Sequence, residues 1–162
     1  MQQVRPGTHK FDLDTPILCI DLDVMESNIG KMAEFIQSGG KDWLPHAKCH
    51  KTPAIAWKQL EAGAVGVTVA KVSEAEVMAQ AGIQDILIAN MVVGRTKWER
   101  VAALCRMADP IVAVDHYAQA EPLAAVCREF GVTCRVIIEV DIGLNRVGSR
   151  PGIETLELAH GI

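Results

Sequence analysis

Residues 45–51 read PHAKCHK, which crowds two histidines, two lysines and a cysteine into one short stretch between apolar runs. The chemistry such a turn offers is that of an amine. A lysine leaving the C-terminal end of a buried parallel strand is desolvated more than one on an open surface. Desolvation raises the fraction of free amine, the form that attacks a carbonyl to make a Schiff base. Lys48 stands at that position, whereas Lys51 lies further into the loop, where water reaches it. Strand alternation puts His46 on the side of Lys48 and Ala47 on the other. His46 and His50 have the i, i+4 spacing of a zinc pair, but that spacing joins two imidazoles only on a helix, so no metal is assigned. Spacing alone also permits a plainer reading of both lysines as surface charges.

Further candidates are spread along the chain. Arg146 sits in EVDIGLNRVG (139–148) and, read by itself, is a loop arginine within reach of Glu139 or Asp141. Lys71, Glu74 and Glu76 read as a capping and salt-bridge arrangement at a helix start. Asn90 is either a polar liner of a pocket or a turn residue. Asp115–His116 has the composition of an acid–base pair, although an Asp between a strand and a helix is more commonly an N-cap.

These groups need a frame that gathers them. ILCIDL (17–22) reads as a strand, and Asp23 caps a helix running to about Gln37, ended by Gly39–Gly40. Trp43–Ala47 is a short strand into the lysine turn. Thr52–Pro53 supplies N-cap and N1 of a second helix that stops at Gly63. VGVTVA (65–70) is the next strand, and Ser73 with Glu76 forms a capping-box pattern for a helix over 74–81 closed by Gly82. DILIAN (85–90), a helix near 95–107, IVAVD (111–115), a helix over 117–130 ended by Gly131, and TCRVIIEVD (133–141) continue the alternation. ETLELAHGI closes the chain as a helix pattern.

Strands this uniformly apolar predict a parallel sheet covered on both faces, so the class is α/β. Each strand runs into a polar residue at its C-terminal end: Lys48, Lys71, Asn90, Asp115 and Asp141. That edge is where barrels and doubly wound sheets bind ligands. About five βα units are legible, part of a (β/α)8 TIM-type barrel, which needs about 250 residues. Residues 1–23 form a leading strand segment and 24–162 the βα units.

The chain has 162 residues, 49% of them hydrophobic and 22% charged, so it holds a real core. A net charge of −4 without a basic stripe argues against nucleic acid or an anionic membrane as partner. The N-terminus has no apolar signal region, and no apolar run approaches the roughly 18 residues of a membrane span. Five irregularly spaced cysteines (Cys19, Cys49, Cys105, Cys127, Cys134) predict a reduced, cytoplasmic protein without disulfides.

Three stretches, DTPILCIDLDVMESNI, LPHAKCHKTPAIA and QLEAGAVGVTVAKVSEAEVMAQAGIQDILIANMVVG, resemble the D-threonine aldolase / D-serine dehydratase family. Its members are pyridoxal 5′-phosphate enzymes with an alanine-racemase-like barrel. The resemblance runs from about Asp14 to Gly148 and implies that Lys48 carries the Schiff base with the cofactor, leaving Lys51 as an auxiliary cation. EVDIGLNRVG is similar to the family segment whose arginine bonds the phenolic oxygen of the cofactor ring, here Arg146. A guanidinium there holds that oxygen ionised without losing its own proton. The resemblance further implies activity on D-configured β-hydroxy amino acids, either aldolase cleavage or dehydration, in a homodimer. It places the cofactor's phosphate site in later barrel strands. A divalent metal (Mn or Zn) is held by a C-terminal β domain, so no metal ligand is expected within these residues. Two other readings stay open: a non-catalytic pyridoxal-phosphate-binding barrel, and an inactive structural fragment.

Overall fold

A computed structural model describes residues 4–162. Six helices and four strands alternate: α1 Leu22–Ser38, α2 Pro53–Glu61, β1 Val67–Val69, α3 Val72–Gln80, β2 Asp85–Ile88, α4 Arg95–Leu104, β3 Asp109–Val114, α5 Tyr117–Phe130, β4 Arg135–Ile138 and α6 Ile153–Gly161. The strands pair in the order β1-β2-β3-β4, all parallel. A doubly wound sheet reverses its strand order at a switch point, whereas sequential parallel order is the winding of a (β/α)8 barrel.

The expected strand over 43–47 is present in reduced form. His46 bridges Thr68, and the Ala47 N–H donates to the Thr68 carbonyl at 2.7 Å while the Thr68 N–H donates to Pro45 at 2.8 Å. This segment is a fifth parallel position ahead of β1.

Two expectations at the N-terminus are corrected. Residues 17–20 form no regular element and pair with no strand among the described residues, with Leu18 97% exposed, so ILCIDL is no strand. An apolar run becomes a strand only when a neighbour takes its backbone hydrogen bonds, and the run itself does not specify one. Helix α1 starts earlier than expected because Asp21, not Asp23, is its cap, with its carboxylate accepting from the Val24 N–H at 3.1 Å. The leading segment instead carries one short 3-10 turn, Lys10–Asp12; its first three residues lie outside the described part.

The register divides the sheet into two faces. The rows Val67–Ile86–Pro110 and Val69–Ile88–Val112 are buried beneath the helices. The intervening row, Thr68–Leu87–Ile111–Arg135, lies on the opposite face, where Leu87 and Ile111 are half-buried and Arg135 is more open. Ile137, further up that face, is 42% exposed. Cover within these residues is therefore one-sided, contrary to the two-sided cover expected from the apolar strands. The helices α3, α4 and α5 pack side by side on the buried face, as in a barrel wall. At the N-terminal end, Arg135 closes the open face by bonding Asp109 at 2.8 Å and Asp85 at 2.9 Å. The C-terminal edge is left for chemistry.

A candidate active site on the C-terminal edge of the sheet

Lys48 leaves the buried Ala47 and enters a tight turn. The Lys51 N–H donates back to the Ala47 carbonyl at 2.8 Å, and Lys51 takes a left-handed conformation at φ 51°. Imidazoles organise both sides of it. His46 Nδ1 accepts from the Lys48 N–H at 3.3 Å, and His50 Nδ1 accepts from the Thr52 N–H at 3.1 Å. With Nδ1 accepting, His50 carries its proton on Nε2, which is buried facing the buried Oε1 of Gln59. Burial, and then the charge of Lys48, push His46 below the usual histidine range; burial does the same to His50.

The two lysines separate clearly. Lys51 Nζ lies 3.2 Å from Glu74 Oε1, a carboxylate only 11% exposed. Lys48 Nζ has no hydrogen bond or ion pair among the described residues. The side chain of Lys48 is also exposed, so the desolvation expected at a strand end is not achieved within these residues. The reason is the one-sided cover of the sheet: the amine stands at a mouth open to water.

Glu74 takes the capping and salt-bridging part expected at this helix start, but not in the expected pattern. The expected capping box of Ser73 with Glu76 is absent. The cap of α3 is Lys71 without a side-chain bond, and Glu74 Oε2 reaches back to accept from the Ala70 N–H at 2.9 Å. Burial works against the charge of Glu74, but the Ala70 N–H and Lys51, with Lys71 behind them, outweigh it and hold the carboxyl below the usual range. Glu76 pairs instead with Arg100. One carboxylate thus ties the lysine turn to the end of β1. Asn90 ties β1 to β2 in the same way, donating from Nδ2 to the Ala70 carbonyl at 3.1 Å and accepting the Met91 N–H at 3.0 Å. It is a turn residue and also lines a pocket of about 350 Å³ with Lys71, Lys97 and Arg100.

Arg146 occupies the loop after β4. The loop is closed at its base, where Val140 bridges Ser149, the Ser149 N–H donates to Glu139 at 2.8 Å and the Asp141 N–H to Ser149 at 2.9 Å. Inside it, Asp141 Oδ1 accepts from the Gly143 and Asn145 N–H groups, and these bonds hold its carboxyl below the usual range. Arg146 is exposed and pairs with neither Glu139 nor Asp141 among the described residues. Asp115 is not the cap of α5: His116 is, accepting from the Ala118 N–H at 3.0 Å, while Asp115 Oδ2 accepts from the Gly148 N–H at 2.9 Å.

The Lys48 amine and the Arg146 guanidinium, both without an ion pair among the described residues, therefore stand at the two flanks of one edge, four inter-strand steps of about 4.8 Å apart. By chemistry, an amine suits the aldehyde and a guanidinium the phenolate of pyridoxal phosphate. A cleft of about 640 Å³ lies elsewhere, between Cys19–Asp21, α1 and α2, and His46 lines it while Lys48 and Arg146 do not. His46 thus borders this cleft and touches Lys48 only through the backbone. No group of three or more metal-ligating side chains is present among the described residues.

Residues 20–162 match the model of the alanine racemase N-terminal domain. The chain belongs to the alanine racemase N-terminal domain family. A D-threonine aldolase of Arthrobacter sp. is 38% identical over 156 residues, covering 96% of this chain and 41% of that protein. The crystal structure of D-threonine aldolase from Filomicrobium marinum superposes with a TM-score of 0.92 at 44% identity, over 98% of this chain and 44% of that one. D-threo-3-hydroxyaspartate dehydratase from Delftia sp. HT23 follows at a TM-score of 0.81 and 36% identity, over 92% and 39%. The chain spans about two fifths of the length of these relatives. The alanine racemase-type fold expected from the motifs is thereby shown, as a partial barrel.

Proposed function

We propose that the chain forms the amine-bearing part of a pyridoxal-phosphate lyase for D-configured β-hydroxy amino acids. The observation that carries this reading is the difference between the two lysines. In the family motif one lysine carries the cofactor, and Lys48 has no partner among the described residues while Lys51 is held by Glu74. When bound, pyridoxal phosphate supplies an electron sink for breaking a bond at the substrate Cα.

The chain's own residues would do the following. Lys48 Nζ would hold the cofactor covalently, through its carbonyl carbon. Arg146 donates to the ring phenolate and keeps it ionised, because a guanidinium does not give up its proton near neutral pH. Lys51 and Glu74 hold the turn that presents Lys48. His46, on the Lys48 side of its strand, and Asn90, just after β2, are further candidate cofactor contacts on this edge. We assign His46 to shaping the turn through the Lys48 N–H, and Asn90 to fastening the strand ends.

Aldolase chemistry is the first reading. The β-hydroxyl loses its proton, the Cα–Cβ bond breaks, and glycine and an aldehyde leave. It is supported by the likeness to two D-threonine aldolases. Dehydration, with loss of the hydroxyl from Cβ to give an oxo acid and ammonia, is the second, supported by the dehydratase. We further propose that a divalent metal, manganese or zinc, bound by a C-terminal β domain assists the reaction, and that the protein is a cytoplasmic homodimer. No helix of the described part is long and apolar enough to cross a membrane, and its five cysteines are unpaired, which supports the cytoplasmic placement.

Borohydride reduction in the presence of pyridoxal phosphate, followed by peptide mapping, tests the assignment. A pyridoxyl group on Lys48, lost in Lys48→Ala and retained in Lys51→Ala, is the expected result. Label on Lys51 with Lys48→Ala still trapping cofactor would refute it.

A further inference from the structure

Arg146 lies on a loop whose hydrogen bonds run mainly within itself and its base. Its base is the Val140–Ser149 bridge, and its interior is the Asp141 carboxylate with the Gly143 and Asn145 N–H groups. The loop crosses itself at Gly148. There φ is +111°, and a Cβ would lie 2.5 Å from the Asp141 nitrogen. These contacts define the loop's own shape, and its orientation about the base depends on what it bonds outside itself. Among the described residues, the bond from the Gly148 N–H to Asp115 Oδ2, at 2.9 Å, is the hydrogen bond that ties residues 142–148 to another element.

Asp115 is itself fixed from both sides. Its Oδ1 accepts from Gln119 Nε2 at 2.8 Å, and its backbone N–H donates to Gln119 Oε1 at 3.1 Å. The carboxylate therefore stands at the end of β3 with both oxygens committed, one to α5 and one to the loop two residues from Arg146. We propose that Asp115 is a positioning residue for Arg146: it sets the tilt of the loop so that the guanidinium meets the phenolate of the bound cofactor. This rests on the cofactor role proposed for Arg146, and Asp115 touches no reacting atom.

The test is a double-mutant cycle on the full chain, read as pyridoxal phosphate affinity and as the pH at which the absorbance band of the bound cofactor changes. Arg146→Leu should weaken binding about 10- to 100-fold and move the band transition, since a charge-assisted hydrogen bond is lost. Asp115→Ala should move the transition in the same direction and weaken binding by about 5- to 20-fold, a part of the same interaction. The double variant should match Arg146→Leu alone, because residues that act through one another are not additive. Asp115→Asn, which keeps the volume but offers an N–H to one of two donors, should fall between wild type and Asp115→Ala and serves if Asp115→Ala does not fold. Additive effects, or an Asp115 variant that loses stability with the band transition unmoved, would overturn the positioning role. An Arg146→Leu protein with unchanged affinity and spectrum would overturn the cofactor role beneath it, and the positioning role with it.

Discussion

At the residue scale, the site is built from groups that look alike in sequence and differ in their partners. Arg146 and Arg150 are both exposed loop arginines four residues apart, but Arg150 reaches Glu154 at 3.7 Å across the first turn of α6, while Arg146 has no ion pair among the described residues. Arg146→Leu is expected to lower pyridoxal phosphate affinity about 10- to 100-fold and Arg150→Leu to leave it within about twofold, measured by absorbance titration. Equal losses would mark Arg146 as an ordinary surface charge. The histidines of the lysine turn make a separate prediction. Burial holds His46 and His50 below their usual range, so the unfolded chain takes up protons near pH 6.5 while the folded one resists. Stability should be level above about pH 6.5 and fall as the pH drops below it. A second decline should follow below about pH 4.5, as Glu74, Glu76 and Asp141, all held low in the folded state, are protonated. Melting temperatures across this range would show both limbs, and replacing His46 and His50 by Gln should flatten the upper one. A slope unchanged by those substitutions would rule the histidines out as its source.

Elements place these residues through contacts made at their ends. The mouth edge is fastened strand by strand, by Glu74 between the lysine turn and β1, Asn90 between β1 and β2, and Asp115 between β3 and the Arg146 loop. Close approach of the strands also limits what the backbone tolerates. A Cβ on Gly66, just before β1, would lie 2.5 Å from the Asp85 carbonyl oxygen and 2.7 Å from the Asp85 Cβ. Neither atom is the free end of a flexible side chain, so β1 and β2 must separate to admit it. Gly66→Ala should cost about 1–3 kcal/mol in urea denaturation, as overpacking commonly does. A variant as stable as the parent would mean that the β1–β2 contact is looser than its geometry.

The whole molecule is a curved wall with one finished face. Helices bury Val67, Ile86, Val69, Ile88 and Val112, while Leu87, Ile111 and Ile137 on the opposite face are only partly covered. The leading segment adds Ile17, Leu18 and Ile20, all exposed. Exposed apolar surface and unpaired strand edges promote association. Residues 1–162 produced alone are therefore expected to sediment as a dimer or larger species, with the proportion rising with concentration. Ile137→Asp combined with Leu18→Glu should shift that equilibrium toward monomer. A monomer at every concentration tested would show that these surfaces do not recruit one another.

Most of the frame was legible in the sequence because it rests on local signals. Gly131 ends α5 in a left-handed conformation, Pro53 opens α2, and the apolar runs of β1 to β4 lie where their composition put them. The lysine turn was legible too, since its residue types are unusual at a strand end, and the family of the chain followed from the motifs around it. What the sequence could not supply was pairing. ILCIDL has strand composition and no strand partner, so it is not a strand. Glu74 and Glu76 stand two apart with identical chemistry, and only the packing of α3 against α4 sends Glu76 to Arg100 and leaves Glu74 for Ala70 and Lys51. Asp115 and His116 exchange the roles their types foretell, because the Gly148 N–H, 33 residues away, arrives within reach of the carboxylate. Local propensity acts over a few residues of chain. Which lysine is left free, and which carboxylate holds the arginine loop, depends on contacts between segments that only the folded sheet brings together.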